Sequence, residues 1–277
     1  MVRARHVAVL GAVALALAAA AAAAVLRQSR DLDEQIRSVA VRGPVHARVV
    51  LPPDYATSGK RYPVVYFLHG LPANAAAYRG NGWLAGALEQ VGRAILVFPQ
   101  GARGDDDDPE YLNWGAGRNW ETYVAEEVPR YVDAHFRTIR SRDGRALIGV
   151  SAGGYGATIL GLHHLARFSV IESWSGYFAP TDPTGTVVLP REPAASAANL
   201  VGSVRKAERR LPTFLGFYVG RSDTRFLKDN LRFDSQLSSA HVPHVFEVYA
   251  GGHETALWER HAVAWLRLAL RRLAAPR

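Results

Sequence analysis

The pentapeptide Gly149-Val150-Ser151-Ala152-Gly153 constrains this chain more than any other feature. It stands directly after an apolar run at 146–150 and directly before a stretch of small residues that begins at Gly154. A G-x-S-x-G in that setting is a strand-to-helix turn so tight that its flanking positions must be glycine for the backbones to approach. Such a turn lifts a serine hydroxyl onto the N-terminus of the helix, where developing negative charge is favoured. A glycine-rich turn with an ordinary capping serine is the plainer reading, but it does not account for the placement between strand and helix.

A serine hydroxyl is a poor nucleophile until an imidazole takes its proton and a carboxylate orients that imidazole. Chains built around this turn supply the partners in the order Ser, acid, His. His253 fits the last position, because it follows a predicted strand at 245–249 and the flexible pair Gly251-Gly252, just before the final predicted helix. His163 and His164 fall inside the helix after the nucleophile, and His241 and His244 precede the last strand. Asp223, in Gly220-Arg221-Ser222-Asp223, follows a predicted strand at 213–219. Its rivals Asp229 and Asp234 fall in a predicted helix, where they would face solvent or cap, and Asp182 precedes the strand. The competing readings are a turn-forming, helix-capping aspartate and a solvated loop histidine. Acyl transfer also needs two backbone N–H donors for the oxyanion. Ala152 supplies the first, and Leu71 in His69-Gly70-Leu71-Pro72 supplies the second, since Pro72 has no N–H. His69 ends a predicted strand and is expected to shape that loop.

From about residue 45, short apolar runs alternate with longer amphipathic ones, the pattern of strands joined by crossover helices. Strands are predicted at 46–51, 64–68, 95–98, 146–150, 170–174, 213–219 and 245–249. Helices are predicted at 121–136, 154–166, 225–240 and 254–273. The last bears Leu257, Trp258, Val263, Trp265, Leu266 and Leu270 at helical spacing, an aromatic stripe read as core. Stretches 101–118 and 180–211 read as irregular and are expected to lie over the site. No solenoid repeat is present. The expected fold class is α/β, a mostly parallel central sheet with helices on both faces.

Two Arg and a His precede an uncharged run at 7–26, long enough to span a bilayer and rich in small-x-small sites. It reads as a cleaved signal or a retained anchor, so residues 1–30 form an export segment and residues 31–277 the catalytic domain. Membrane attachment through 7–26 follows if the segment is retained. The net charge of +8 suggests an anionic partner, yet four Arg sit in residues 1–30. Without them 29 basic residues stand against 25 acidic ones, an ordinary balance. No arginine cluster interleaves with aromatics, so no nucleic-acid role is assigned. The absence of cysteine removes disulfides, thiolate metal sites and a cysteine nucleophile. The run Asp105 to Asp108 lacks the spacing of a calcium loop and reads as solvated; no metal is assigned. No dinucleotide or phosphate-loop fingerprint appears, and no cofactor is expected.

With these residues placed, the chain resembles the esterase D-like (putative esterase) family of α/β-hydrolases over roughly residues 45–270. The likeness rests on Tyr62-Pro63-Val64-Val65-Tyr66-Phe67-Leu68-His69-Gly70, on Ala146-Leu147-Ile148-Gly149-Val150-Ser151-Ala152-Gly153-Gly154-Tyr155-Gly156-Ala157, and on Trp120-Glu121-Thr122-Tyr123-Val124. That family includes feruloyl and other carboxylesterases, formylglutathione hydrolases and mycolyltransferases. The resemblance implies triad roles for Ser151, Asp223 and His253 and oxyanion roles for Leu71 and Ala152. Ala152 departs from the Met that many members carry there. Asp at the acid position is closer to the feruloyl esterase branch than to the mycolyltransferases, which usually have Glu. Asn81-Gly82-Trp83 and Ser175-Gly176-Tyr177 are similar to substrate-side segments of the transferases. Trp83, Trp120 and Tyr177 are thus expected on the substrate side. The expected activity is hydrolysis of a small-molecule or cell-envelope ester. An envelope acyltransferase with the same triad and a noncatalytic envelope-binding protein are the alternatives.

Overall fold

Strands that bury both faces need helices above and below them, and this chain supplies both layers. In the computed structural model, which describes residues 30–104, 106, 110–180 and 195–277, eight strands form one sheet in the order β1-β2-β4-β3-β5-β6-β7-β8. They are β1 (Asp31–Ser38), β2 (Gly43–Val50), β3 (Val64–Leu68), β4 (Ile95–Pro99), β5 (Arg145–Val150), β6 (Val170–Trp174), β7 (Phe214–Gly220) and β8 (Val245–Tyr249). The β1–β2 and β2–β4 pairs are antiparallel, and all the others are parallel.

Alternation along β3 shows how the core divides. Val64, Tyr66 and Leu68 point to one layer, Val65 and Phe67 to the other, and all five are buried. Helices α1 (Trp83–Val91) and α6 (Thr255–Leu270) cover one face through Leu84, Leu88, Leu257, Trp265 and Leu266. Helices α2 (Val128–His135), α3 (Ala152–His163), α4 (Ala197–Ala207) and α5 (Leu227–Ser239) cover the other. Among these, α3 carries no amphipathic stripe, because every residue from Ala152 to Leu162 is buried. A helix enclosed on all sides needs small residues where neighbours press on it. A Cβ on Gly161 would meet the Ile171 side chain at 2.5 Å, and one on Gly156 would meet the Tyr111 ring at 2.5 Å.

The chain turns left from β3 to β4 and then right to β5, so the carboxyl ends of β3 and β5 flank the point where strand order reverses. Open α/β sheets bind ligands at such points. Leu68 and Gly149 pair across them, which sets the loop after β3 beside the turn after β5.

Several elements differ from the sequence expectation. Strand β1 was not expected: its DLDEQIRS sequence is polar at most positions, and it forms by edge pairing with β2 while burying little more than Ile36 and Ser38. Helices α1 and α4 were also unexpected. The second lies inside the stretch read as irregular, of which residues 181–194 fall outside the described residues. The helix expected at 121–136 is a composite of a short turn Trp120–Thr122, a π-helical segment Tyr123–Glu127 and α2. Pro129 follows the π segment closely and cannot donate to an α-helical ladder, and the wider turn absorbs that gap. The expected export segment at 7–26 lies outside the described residues, and among those described no helix is long and apolar enough to cross a membrane.

Among the described glycines none is more tightly enclosed than Gly149 and Gly153; a Cβ added at Gly153 would stand 2.0 Å from the Leu68 carbonyl oxygen. Gly153→Ala should therefore lose about 1–3 kcal/mol or more of unfolding free energy, since backbone has to move to admit it. Chemical denaturation measures this, and a loss below about 1 kcal/mol would refute the packing argument.

Candidate active site

Ser151 follows β5 and caps α3 with φ 56° and ψ −123°, a conformation that non-glycine residues rarely hold. The surroundings enforce it. A Cβ on Gly149 would stand 2.0 Å from the Gly153 carbonyl oxygen, so the two flanking glycines let the turn close on itself. Ser151 is thereby raised to the α3 N-terminus, and it is 8% exposed.

Its Oγ lies 2.9 Å from Nε2 of His253, and Nδ1 of the same ring lies 2.8 Å from Oδ2 of Asp223. Asp223 is 1% exposed and does two things at once. Oδ1 accepts the N–H groups of Arg225 and Phe226, each at 3.1 Å, closing the turn into α5. Oδ2 is left for His253, so the turn-forming reading and the histidine-orienting one describe the same side chain. Asp229 instead accepts the Phe178 N–H, and Asp234 lies 2.9 Å from His244, so neither reaches His253. His163 and His164 both contact Glu121 at the far end of α3. Burial alone would raise the Glu121 carboxyl, but its hydrogen bonds with the two histidines outweigh this and bring it down to about 2.

Leu71 lines the same cleft as Ser151, and Ala152 follows the serine as the first residue of α3. Among the described residues no acceptor takes the N–H of either. The loop bearing Leu71 is held from below by His69. Its Nε2 accepts the Gly101 N–H at 3.1 Å, which fixes the tautomer: Nδ1 carries the hydrogen and donates to the Gly70 carbonyl at 3.0 Å. Tyr111 donates its hydroxyl to the His69 carbonyl at 2.7 Å.

Ser151, His253 and the 69–72 loop line an open cleft of ≈660 Å³ whose walls include Asn74, Asn81, Arg225 and Trp258. Trp258, expected as core, is half-buried: it packs against the core beside the buried Leu257, Trp265 and Leu266 and also lines the cleft. It stands edge-on to His253 at 5.3 Å and donates from Nε1 to Ser175 Oγ at 3.0 Å. The three aromatics expected on the substrate side do not line the cleft. Trp83 is half-buried, stacks on Trp174 and meets Phe67 edge-on, in the layer covered by α1 and α6. Trp120 is buried and donates to Asp106 at 2.8 Å, and Tyr177 is buried with its hydroxyl donated to Glu110 at 2.7 Å. Large amphipathic rings serve core and cleft alike, and sequence spacing does not distinguish the two. The 101–118 stretch likewise runs under the site, where Tyr111 and Glu110 are buried; none of its described residues, nor any described at 195–211, lines the cleft. Within the acidic run, Asp106 is not solvated but clamped by Arg118 and Trp120; Asp105, Asp107 and Asp108 lie outside the described residues. No group of three metal-ligating side chains occurs among the described residues.

Burial holds the His69 imidazole down to about 4, against 6.5 for an exposed ring, with the Gly70 bond opposing the shift. The unfolded chain therefore binds an extra proton between these values. The stabilisation is complete above pH 6.5 and is lost as pH falls towards 4, by up to about 3 kcal/mol. His69→Gln should flatten the fall in unfolding free energy across that window, and equal slopes for the variant and the parent would show that His69 is not the group responsible.

A solved ferulic acid esterase superposes with a TM-score of 0.74 at 24% identity, over 88% of this chain and 97% of that one, which shows a shared fold. Esterase Rv1288 of Mycobacterium tuberculosis is 27% identical over 235 residues, 74% of this chain and 51% of that protein. The diacylglycerol acyltransferase/mycolyltransferase Ag85B of Mycobacterium avium is 27% identical over 150 residues, 49% of this chain and 42% of that one. The chain thus spans about half the length of these curated relatives. A family model described as putative esterase matches residues 38–267, most of the chain, and the chain belongs to that esterase family.

Proposed function

We propose that the chain is a serine hydrolase of carboxylic esters that works through an acyl-enzyme at Ser151. The observation that carries this reading is the one imidazole, that of His253, hydrogen-bonded to the Ser151 hydroxyl on one side and the Asp223 carboxylate on the other. Membership of the esterase family supports it independently.

In the first half-reaction the Ser151 oxygen bonds to the ester carbonyl carbon while Nε2 of His253 takes its proton. Asp223 accepts from Nδ1–H and stabilises the imidazolium. The electron pair of the C=O bond moves to oxygen, which receives the N–H groups of Leu71 and Ala152 at the end of the α3 dipole. Collapse of the tetrahedral species breaks the bond to the alcohol, which leaves with the proton from His253. Water then repeats the sequence on the acyl-enzyme, releasing the acid and restoring Ser151.

A second reading, transfer of the acyl group to another alcohol, uses the same residues. It is favoured by the likeness to a protein named as an acyltransferase and by a cleft open enough to admit an acceptor beside Asn74, Asn81 and Trp258. We also infer export, from Arg3, Arg5 and the uncharged run at 7–26.

Release of p-nitrophenol from acetyl through long-acyl esters tests the proposal. Ser151→Ala and His253→Ala should each lower kcat at least about a thousandfold, and Asp223→Asn by a comparable amount, with folding retained. A fluorophosphonate should label the parent and not Ser151→Ala. A folded parent that neither turns over nor takes the label would reduce the chain to a binding protein on this fold. Transfer product exceeding free acid in the presence of glycerol or trehalose would favour the second reading.

A further inference from the structure

The cleft has a charge that the chemistry of ester cleavage does not use. Among the described residues lining it, apart from the two histidines, only Arg225 and Glu254 carry ionisable groups. Glu254 is engaged locally: it occupies the cap position of α6, where the helix dipole favours a carboxylate, and its Oε1 accepts the Gly252 N–H of its own loop at 3.2 Å. Arg225 is exposed, and its guanidinium has no ion pair among the described residues. Its place is nevertheless defined. The backbone N–H donates to Asp223, and the guanidinium carbon lies 4.9 Å from the centre of the Phe226 ring. Phe226 is buried and packs edge-on against His253 at 5.1 Å, so the cation sits one ring away from the catalytic imidazole.

The side of the cleft matters. His253 must hand its proton to the departing alcohol oxygen, so the alcohol half of an ester lies beside His253, and the acyl half lies towards the opposite wall. Arg225 belongs to the His253 side. From this juxtaposition, and resting on the esterase reading above, we propose that Arg225 is a specificity residue that selects esters whose alcohol half carries an anionic group, a carboxylate or a phosphate, held by the guanidinium over Phe226. The planar, permanently charged fork suits either anion. The N-terminus of α3, which opens towards the cleft, adds partial positive charge of the same sign, whereas that of α6 is already met by Glu254.

The test uses three acetate esters that differ in the charge of the alcohol half: 4-acetoxybenzoate, its neutral methyl ester, and the 4-acetoxyphenyltrimethylammonium cation. For the parent the anionic-to-cationic ratio of kcat/KM should exceed one and shrink as salt is added. Arg225→Ala should cut the anionic-to-neutral ratio about three- to tenfold, and Arg225→Glu should invert the order so that the cationic ester is preferred. Arg225→Lys should keep most of the preference, which a role limited to packing on Phe226 would not predict. Ratios that are the same in the parent, Arg225→Ala and Arg225→Glu would overturn the proposal while leaving the esterase reading intact. Absence of turnover for all three esters together with absence of fluorophosphonate labelling would overturn the esterase reading itself, and the proposal with it.

Discussion

How closely two backbones can approach decides the rest of this molecule. The Gly153 backbone lies against the Leu68 carbonyl, and Gly149 lies against Gly153, with no room for a side chain at either glycine. Strands β3 and β5 and helix α3 are therefore locked into one unit at the point where the sheet reverses its strand order. Ser151 and the loop that carries Leu71 share that unit, so their spacing is set by main-chain contact rather than by flexible side chains. Gly70 extends the same logic, because a Cβ there would stand 3.0 Å from Cβ of Ser151.

Around this unit a shell of buried polar and aromatic groups fixes what main-chain contact leaves free. His69 and Tyr111 hold the loop after β3, one through its two ring nitrogens and the other through its hydroxyl. On the opposite side Glu110 anchors Tyr177, Tyr177 stacks between Tyr155 and Phe226, and Phe226 meets His253. Helix α3, the segment bearing Glu110 and the turn into α5 thus converge on one imidazole ring. Most of that positioning is apolar contact in a close-packed interior, which resists the small displacements that degrade catalysis.

Much of this arrangement was legible in the sequence because its constraints are local. The G-x-S-x-G turn, the glycine pair before His253 and the proline after Leu71 each restrict backbone within a few residues of the group they serve. The both-faces-buried strands were legible for the same reason, as uninterrupted apolar runs. What escaped was decided by distant partners. Strand β1 is polar and exists because β2 offers an edge; Trp258 faces the cleft because Ser175, 83 residues away, takes its N–H. Trp83, Trp120 and Tyr177 have the composition of a substrate wall and the location of a core, and only the packing distinguishes these. Asp106 reads as one of four solvated acids until Arg118 and Trp120 close on it.

The two duties of Asp223 have a consequence for how this lineage can vary. One carboxylate oxygen closes the chain turn into α5 while the other steadies His253, and both depend on a side chain with a single methylene. A longer acid at this position would move its carboxylate away from the amides that shape the loop, or would carry the loop with it. The identity of the acid and the length of the segment between β7 and α5 are therefore coupled by geometry. A change in one opens a path to new function only if the other changes in step.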